Sequence, residues 1–155
     1  MTEHIEKQVA DQFHRAFNDL LIESLSGDEP DWDWLTRLHR ELRDRICSLT
    51  PKRKDIHVEL YENIDSELFG QMIKNEAYSP EDMWKLVTYV FTLLKEREAP
   101  ARNESTVKLV ESLYVTFSKE GTTIATFVPI FLTSAHQKID EIEKDKEEFL
   151  KQFKK

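Results

Sequence analysis

The chain has 155 residues, 22 Lys plus Arg against 30 Asp plus Glu, a formal charge of -8, and 39% hydrophobic residues. A domain of this length buries about 68–70% of the surface its unfolded chain exposes, so one core is attainable without disulfides or a structural metal. Only three glycines are present, which argues against turn-rich sheet folds and glycine-framed phosphate loops, and the single Cys47 excludes an internal disulfide.

Residues 1–25 carry acids throughout and no apolar run, so no secretion signal is expected. The greasiest stretch, Ile124 to Leu132, is interrupted by Thr126 and Pro129 and falls short of the roughly 20 apolar residues of a membrane span. The expectation is an intracellular, cytoplasmic protein with no membrane span; a nuclear or virion location stays open.

Apolar residues at three- and four-residue spacing predict a helix through Ile5, Val9, Phe13, Phe17, Leu20, Leu21 and Leu25, read as one face and ended by Gly27 and Pro30. A second helix is capped by Asp31 or Asp33 and runs through Leu35, Leu38, Leu42, Ile46 and Leu49. Trp32 and Trp34 read as apolar residues packing at its start. Thr50-Pro51 reads as the cap and first position of a short third helix with Ile56 and Leu60 inward, and Asp65 caps a fourth that carries Gly70 in its interior. Ser79-Pro80-Glu81-Asp82 is a strong start signal for a fifth helix, which stops before Pro100. A sixth spans residues 104–120, with Gly121 as its natural terminator. The seventh begins near Thr123 or Thr126, tolerates Pro129 in its first turn, and carries an apolar face that thins past Glu143. The expected fold is all-α: one compact bundle of about six to seven helices over residues 1–155, with a charged helical tail at 144–155.

The five histidines show no HxxxH or HExxH spacing, and no Glu-x-x-His pair supports a di-iron site, so no metal or cofactor is expected. Cys47 lies near Arg43, which would lower its thiol pKa, but no histidine is placed as its base. No serine is framed by glycines, and no enzymatic activity is expected. Charge is unevenly distributed: residues 1–36 sum to -7, residues 37–54 to +5 and residues 55–155 to -6. Arg37, Arg40, Arg43, Lys52, Arg53 and Lys54 therefore form a candidate surface for phosphates, nucleic acid or an acidic partner. Pairing with acids of the first helix is the plainer reading, and nucleic acid is not the expected partner because no aromatic residue interleaves with the cluster. In the last helix Ala135, Ile142 and Phe149 fall seven apart, as do Leu132, Ile139, Lys146 and Phe153. Ile139, Ile142, Phe149 and Phe153 are thus candidates for self-association as a homodimer.

Three stretches follow one another in a familiar order: Leu42-Arg43-Asp44-Arg45-Ile46-Cys47-Ser48-Leu49-Thr50-Pro51 after Glu41, Glu62-Asn63-Ile64-Asp65-Ser66-Glu67-Leu68, and Ala99-Pro100-Ala101-Arg102-Asn103-Glu104. In order and spacing they resemble the T-complex protein 11 family, over about Val9 to Phe153. Glu98 stands where the family loop has a cysteine, Asn103 replaces that loop's first acid, and Ile142 replaces a later tyrosine. Family members are several times longer, so the resemblance is to the N-terminal portion of the family domain. It implies an all-helical, non-enzymatic interaction or adaptor protein with a protein partner, associated with cyclic-AMP/protein kinase A signalling, and it carries over no catalytic or ligand residues.

Overall fold

The computed structural model describes residues 2–153, with side chains described from His4 onward. Among these residues there are seven α-helices: α1 (Thr2–Leu25), α2 (Trp32–Leu49), α3 (Lys54–Asn63), α4 (Ser66–Lys74), α5 (Pro80–Arg97), α6 (Asn103–Ser118) and α7 (Ile124–Phe153). One 3-10 turn, Pro100–Arg102, joins α5 to α6, and no strand occurs among the described residues. The fold is all-α.

Local chemistry sets most of the boundaries. The Asp31 carboxylate accepts from the Trp34 amide at 3.0 Å, and Asp65 accepts from Leu68 at 3.0 Å, each satisfying a donor that a helix start leaves free. Ser79 and Asp82 form a reciprocal capping box around Pro80, both bonds 3.1 Å long. At Thr50-Pro51 the expectation fails. Thr50 closes α2 instead of opening α3, and His57 Nε2 donates to the carbonyls of Cys47 and Thr50 at 2.9 and 2.7 Å, satisfying the end of α2. The third helix starts three residues after Pro51, at Lys54. Gly121 takes a left-handed φ of 84° in the turn before α7, two residues beyond the α6 cap rather than beside it. Pro129 sits in the second turn of α7, where it deprives the Ala125 carbonyl of its usual helical donor.

The buried side chains form one core, and α7 is its hub, contacting α1, α2, α5 and α6. Phe127, Phe131, Leu132, Ala135, Ile139 and Ile142 supply the α7 face of that core. This corrects half of the self-association expectation. Ile139 and Ile142 are buried among the protein's own helices, because the seven-residue spacing that suggests helix pairing is satisfied inside the bundle. Phe149 and Phe153 remain exposed, their rings 4.8 Å apart. Of the expected tail, Lys154 and Lys155 lie outside the described residues, and residues 146–153 are exposed helix.

A second correction concerns α1. Its apolar residues do not share one face, because Leu20 and Leu21 stand about 100° apart around the axis. Leu21 and Leu25 are buried and Phe17 packs edge-on against Trp34 at 5.7 Å, whereas Ile5, Val9, Phe13 and Leu20 are exposed.

Two close contacts fix how helices meet. A Cβ on Gly70 would lie 2.8 Å from Thr36 Oγ1, so glycine is what lets α4 approach α2 here. Deeper in, Glu98 and Lys138 form a buried ion pair at 3.1 Å, with side chains 0% and 5% exposed. The Thr106 hydroxyl lies 2.5 and 2.6 Å from the two Glu98 oxygens and donates to the carboxylate. Lys138 also reaches Glu141 at 2.6 Å, and the Asn103 amide nitrogen, facing its acceptors, donates to Glu98 at 3.1 Å. Removing one member of such a pair leaves a buried charge without its counter-ion. Lys138→Ala is therefore expected to destabilise the fold by about 3–5 kcal/mol, and Lys138→Met with Glu98→Leu to recover more than half of that loss. Urea unfolding midpoints check both.

Candidate functional site

Two of the six basic residues singled out in the sequence, Arg43 and Arg53, are engaged within the protein itself. Arg43 turns back onto the protein: its guanidinium lies 4.0 Å from the centre of the Tyr61 ring, and Nη1 donates to the Ile64 carbonyl at 3.5 Å. Arg53 grips Asp55 with two bonds of 2.9 and 3.0 Å, which holds the Asp55 carboxyl down to about 2. Arg53 is exposed despite this pairing, as are Arg37, Arg40, Lys52 and Lys54. Arg45, which the sequence reading left out of the cluster, does the most structural work: it reaches α7 at Asp140 (2.6 Å), Glu143 (3.3 Å) and His136 Nδ1 (3.0 Å). Since arginine only donates, Nδ1 is the acceptor and Nε2 carries the His136 proton. Burial, aided by Arg45, lowers the His136 pKa.

A cleft of about 330 Å³ lies between the ends of α3, α4 and α5, lined by Glu62, Asp65, Leu68, Phe69, Tyr78 and Lys85 among others. His39 forms part of its wall. The ring is buried, stacks on Phe69 with centroids 4.1 Å apart, and has Nδ1 at 2.7 Å from the Ser66 hydroxyl. Burial, reinforced by Arg43, pushes its pKa down to about 3, so it is neutral in ordinary buffers. Two of the cleft's carboxylates, Asp65 and Asp82, are engaged in capping helices. Cys47 also corrects the sequence reading: burial first, then Asp44, raises its thiol pKa, and the opposing influence of Arg43 does not win. Among the described residues, no three His, Cys, Asp or Glu side chains are grouped to hold a metal ion, and no helix is long and apolar enough to cross a membrane.

Part of what the structure leaves uncovered is apolar. On α1, Ile5, Val9, Phe13 and Leu20 are 57, 60, 67 and 56% exposed, and with Ala16 they fall within about 40° of one line along the helix. Beside this line, Phe13 and Phe17 border a cleft of about 230 Å³ walled by Leu38, Leu132 and His136. The sequence reading missed this surface because it treated both stripes of α1 as one; the spacing of Val9, Phe13, Ala16 and Leu20 is the signal that would have separated them.

The three stretches that carry the family resemblance all sit at helix junctions. The first places Arg45 on α7 and ends α2; the second holds the Asp65 cap and the Ser66 partner of His39; the third holds Arg102, whose guanidinium makes two 3.1 Å bonds to Asp145 of α7. Glu98, just before the third, is the buried partner of Lys138. The family model described as T-complex protein 11 matches residues 1–139. The chain belongs to the T-complex protein 11 family. A human relative, described as T-complex protein 11 homolog, is 30% identical over 106 residues, which make up 68% of this chain and 20% of the relative. The match thus spans about one fifth of that relative's length. No solved structure matches the chain.

Two outcomes test these assignments. Since His39 is held to about 3 in the fold against 6.5 for a free imidazole, protons bind the unfolded chain better. Stability is full above about pH 6.5 and falls with acidification, by up to about 1.4 kcal/mol per pH unit from this one residue, with His136 acting in the same direction. Denaturant titrations between pH 7 and 4 should show this slope, and His39→Leu with Ser66→Ala should flatten it. For the basic residues, the chain is expected to leave an immobilised DNA column below physiological salt, about 0.15 M, with Arg40→Glu plus Arg53→Glu making little difference. Retention at higher salt that the double substitution abolishes would identify a phosphate site.

Proposed function

We propose that this member of the T-complex protein 11 family is a non-enzymatic interaction module, an adaptor that binds another protein through α1. The observation that carries this reading is the second apolar face of α1, uncovered over about four turns while the first is packed in the core. Single exposed apolar side chains are ordinary on protein surfaces; an aligned row beside a cleft is the form a helix-binding surface takes. The polar groups supply further support. Arg45 and Arg102 are spent on holding α7, Arg43 on Tyr61 and Ile64, Arg53 on Asp55, and the cleft carboxylates Asp65 and Asp82 on caps.

The family resemblance makes proteins of cyclic-AMP/protein kinase A signalling the first partners to try. A homodimer through the end of α7 rests on two exposed residues, Phe149 and Phe153, rather than four. Affinity capture from the native cell, with recovered proteins and nucleic acid both identified, tests the module. Val9→Asp with Phe13→Asp is expected to reduce recovery of the bound protein by about tenfold or more, as loss of central apolar anchors does, while the far-UV circular dichroism stays helical. Undiminished recovery would reject α1 as the binding surface, and recovery of a small-molecule substrate that the chain converts would reject the non-enzymatic reading.

A further inference from the structure

The charges that α1 itself carries beside its exposed stripe are of one sign, and Arg45 at the adjoining cleft is already held by Asp140 and Glu143. Taking Val9 as the centre, Glu6, Asp19 and Glu23 lie within about 80° of the line through Ile5, Phe13, Ala16 and Leu20, whereas the two bases of the helix, Lys7 and Arg15, lie beyond about 120°. All three acids are exposed, and no ion pair among the described residues engages them. Glu41 adds a fourth exposed acid at the edge of the adjoining cleft of about 230 Å³. An apolar row flanked by acids matches an apolar row flanked by bases.

We propose that the exposed face of α1 docks a basic amphipathic helix of another protein, whose apolar stripe covers Val9, Phe13 and Leu20 and whose lysines or arginines meet Glu6, Asp19 and Glu23. The inference rests on the interaction-module reading and gives it a partner chemistry. Geometry suits a helix: from Ile5 to Leu20 the row runs about 22 Å, four turns of ladder against which an apolar stripe at three- and four-residue spacing can lie. The cleft bounded by Phe13, Phe17, Leu38 and Leu132 stands alongside to receive one bulky anchor side chain. A second copy of this chain suits the face poorly, because two such faces would set the same acids against each other in a desolvated seam, and like charges there cost affinity. The net charge of -8 acts in the same sense, speeding the approach of a basic partner and slowing that of a second copy.

The test uses the full chain and defined probes: a fluorescent amphipathic helical peptide of about 18 residues built from Leu and Lys, a shuffled peptide of the same composition, and the corresponding Leu and Glu peptide. Fluorescence anisotropy is expected to show the Leu and Lys helix binding at least about tenfold more tightly than either control. Phe13→Asp should weaken that binding by about tenfold although it adds a negative charge, which separates docking from unspecific attraction to an acidic protein. Leu20→Ser gives a second variant with no change of charge, and circular dichroism verifies that both fold. Replacing Glu6, Asp19 and Glu23 with Lys should shift preference to the Leu and Glu helix.

Equal binding of the shuffled peptide, or binding indifferent to Phe13→Asp and Leu20→Ser, overturns the proposal. So does light scattering that gives twice 18.4 kDa for the parent chain and 18.4 kDa for Phe13→Asp, since the face then belongs to a second copy. If capture from the native cell still depends on Val9 and Phe13 while the peptide preference is absent, the basic-helix chemistry is rejected and the interaction module stands; failure of both rejects both.

Discussion

Lys138 projects from α7 beside Ile139, on the flank of the face that fills the core, and there its ammonium group has left water almost entirely. Burying such a charge costs several kcal/mol unless an opposite charge and further hydrogen-bonding groups meet it in good geometry. Glu98 meets it from the end of α5, oriented by Thr106 and Asn103 of α6, so three helices must arrive together for one charge to be satisfied. A slip of α7 by one turn would separate the pair by about 5 Å, which makes the contact a register mark for the hub helix. Arg102 to Asp145 and Arg45 to Asp140 and Glu143 then fasten the same helix at further points along its length. With α7 placed, the positions of α1 and α2, which pack against it, follow.

What the sequence made legible is what local chemistry decides. Asp31, Asp65 and the Ser79-Asp82 box announce helix starts because a cap and its helix are neighbours in the chain. Proline signals were more ambiguous: Pro80 opens a helix, Pro51 lies in a turn, and Pro129 is carried inside α7. Periodicity identifies an apolar stripe without saying what covers it. On α1 it merged a packed face with an exposed one, and on α7 it marked Ile139 and Ile142, which the bundle covers, together with Phe149 and Phe153, which it does not. Charge density along the chain was the least transferable signal, since successive arginines of α2 point different ways: Arg40 to solvent, Arg43 to Tyr61, Arg45 to α7. The role of Lys138 left no trace: it stands between Gln137 and Ile139 in a polar stretch, its partner lies 40 residues away, and only the fold brings them together.

The stretches that carry the resemblance to the T-complex protein 11 family turn out to be junction chemistry. Arg45, Asp65, Ser66 and Arg102 end helices, start them, or fasten α7, and the loop around Pro100 presents Glu98 inward. A family signature of this kind identifies an architecture. The exposed apolar row of α1, Ile5, Val9, Phe13 and Leu20, lies apart from these junctions.

Residues 4–13 of α1 are all exposed, so little beyond their own backbone ladder and a 3.1 Å bond between the Gln8 and His4 side chains keeps them helical. Ten residues are too few to hold a helix alone in water; their order propagates outward from the packed turns at Phe17, Leu21 and Leu25. The tip of α1 therefore has a lower opening free energy than the core, and its amide hydrogens exchange with solvent sooner. Any molecule that covers Val9 and Phe13 spends part of its contact energy on holding those turns closed, so that recognition and the winding of the helix tip become a single equilibrium.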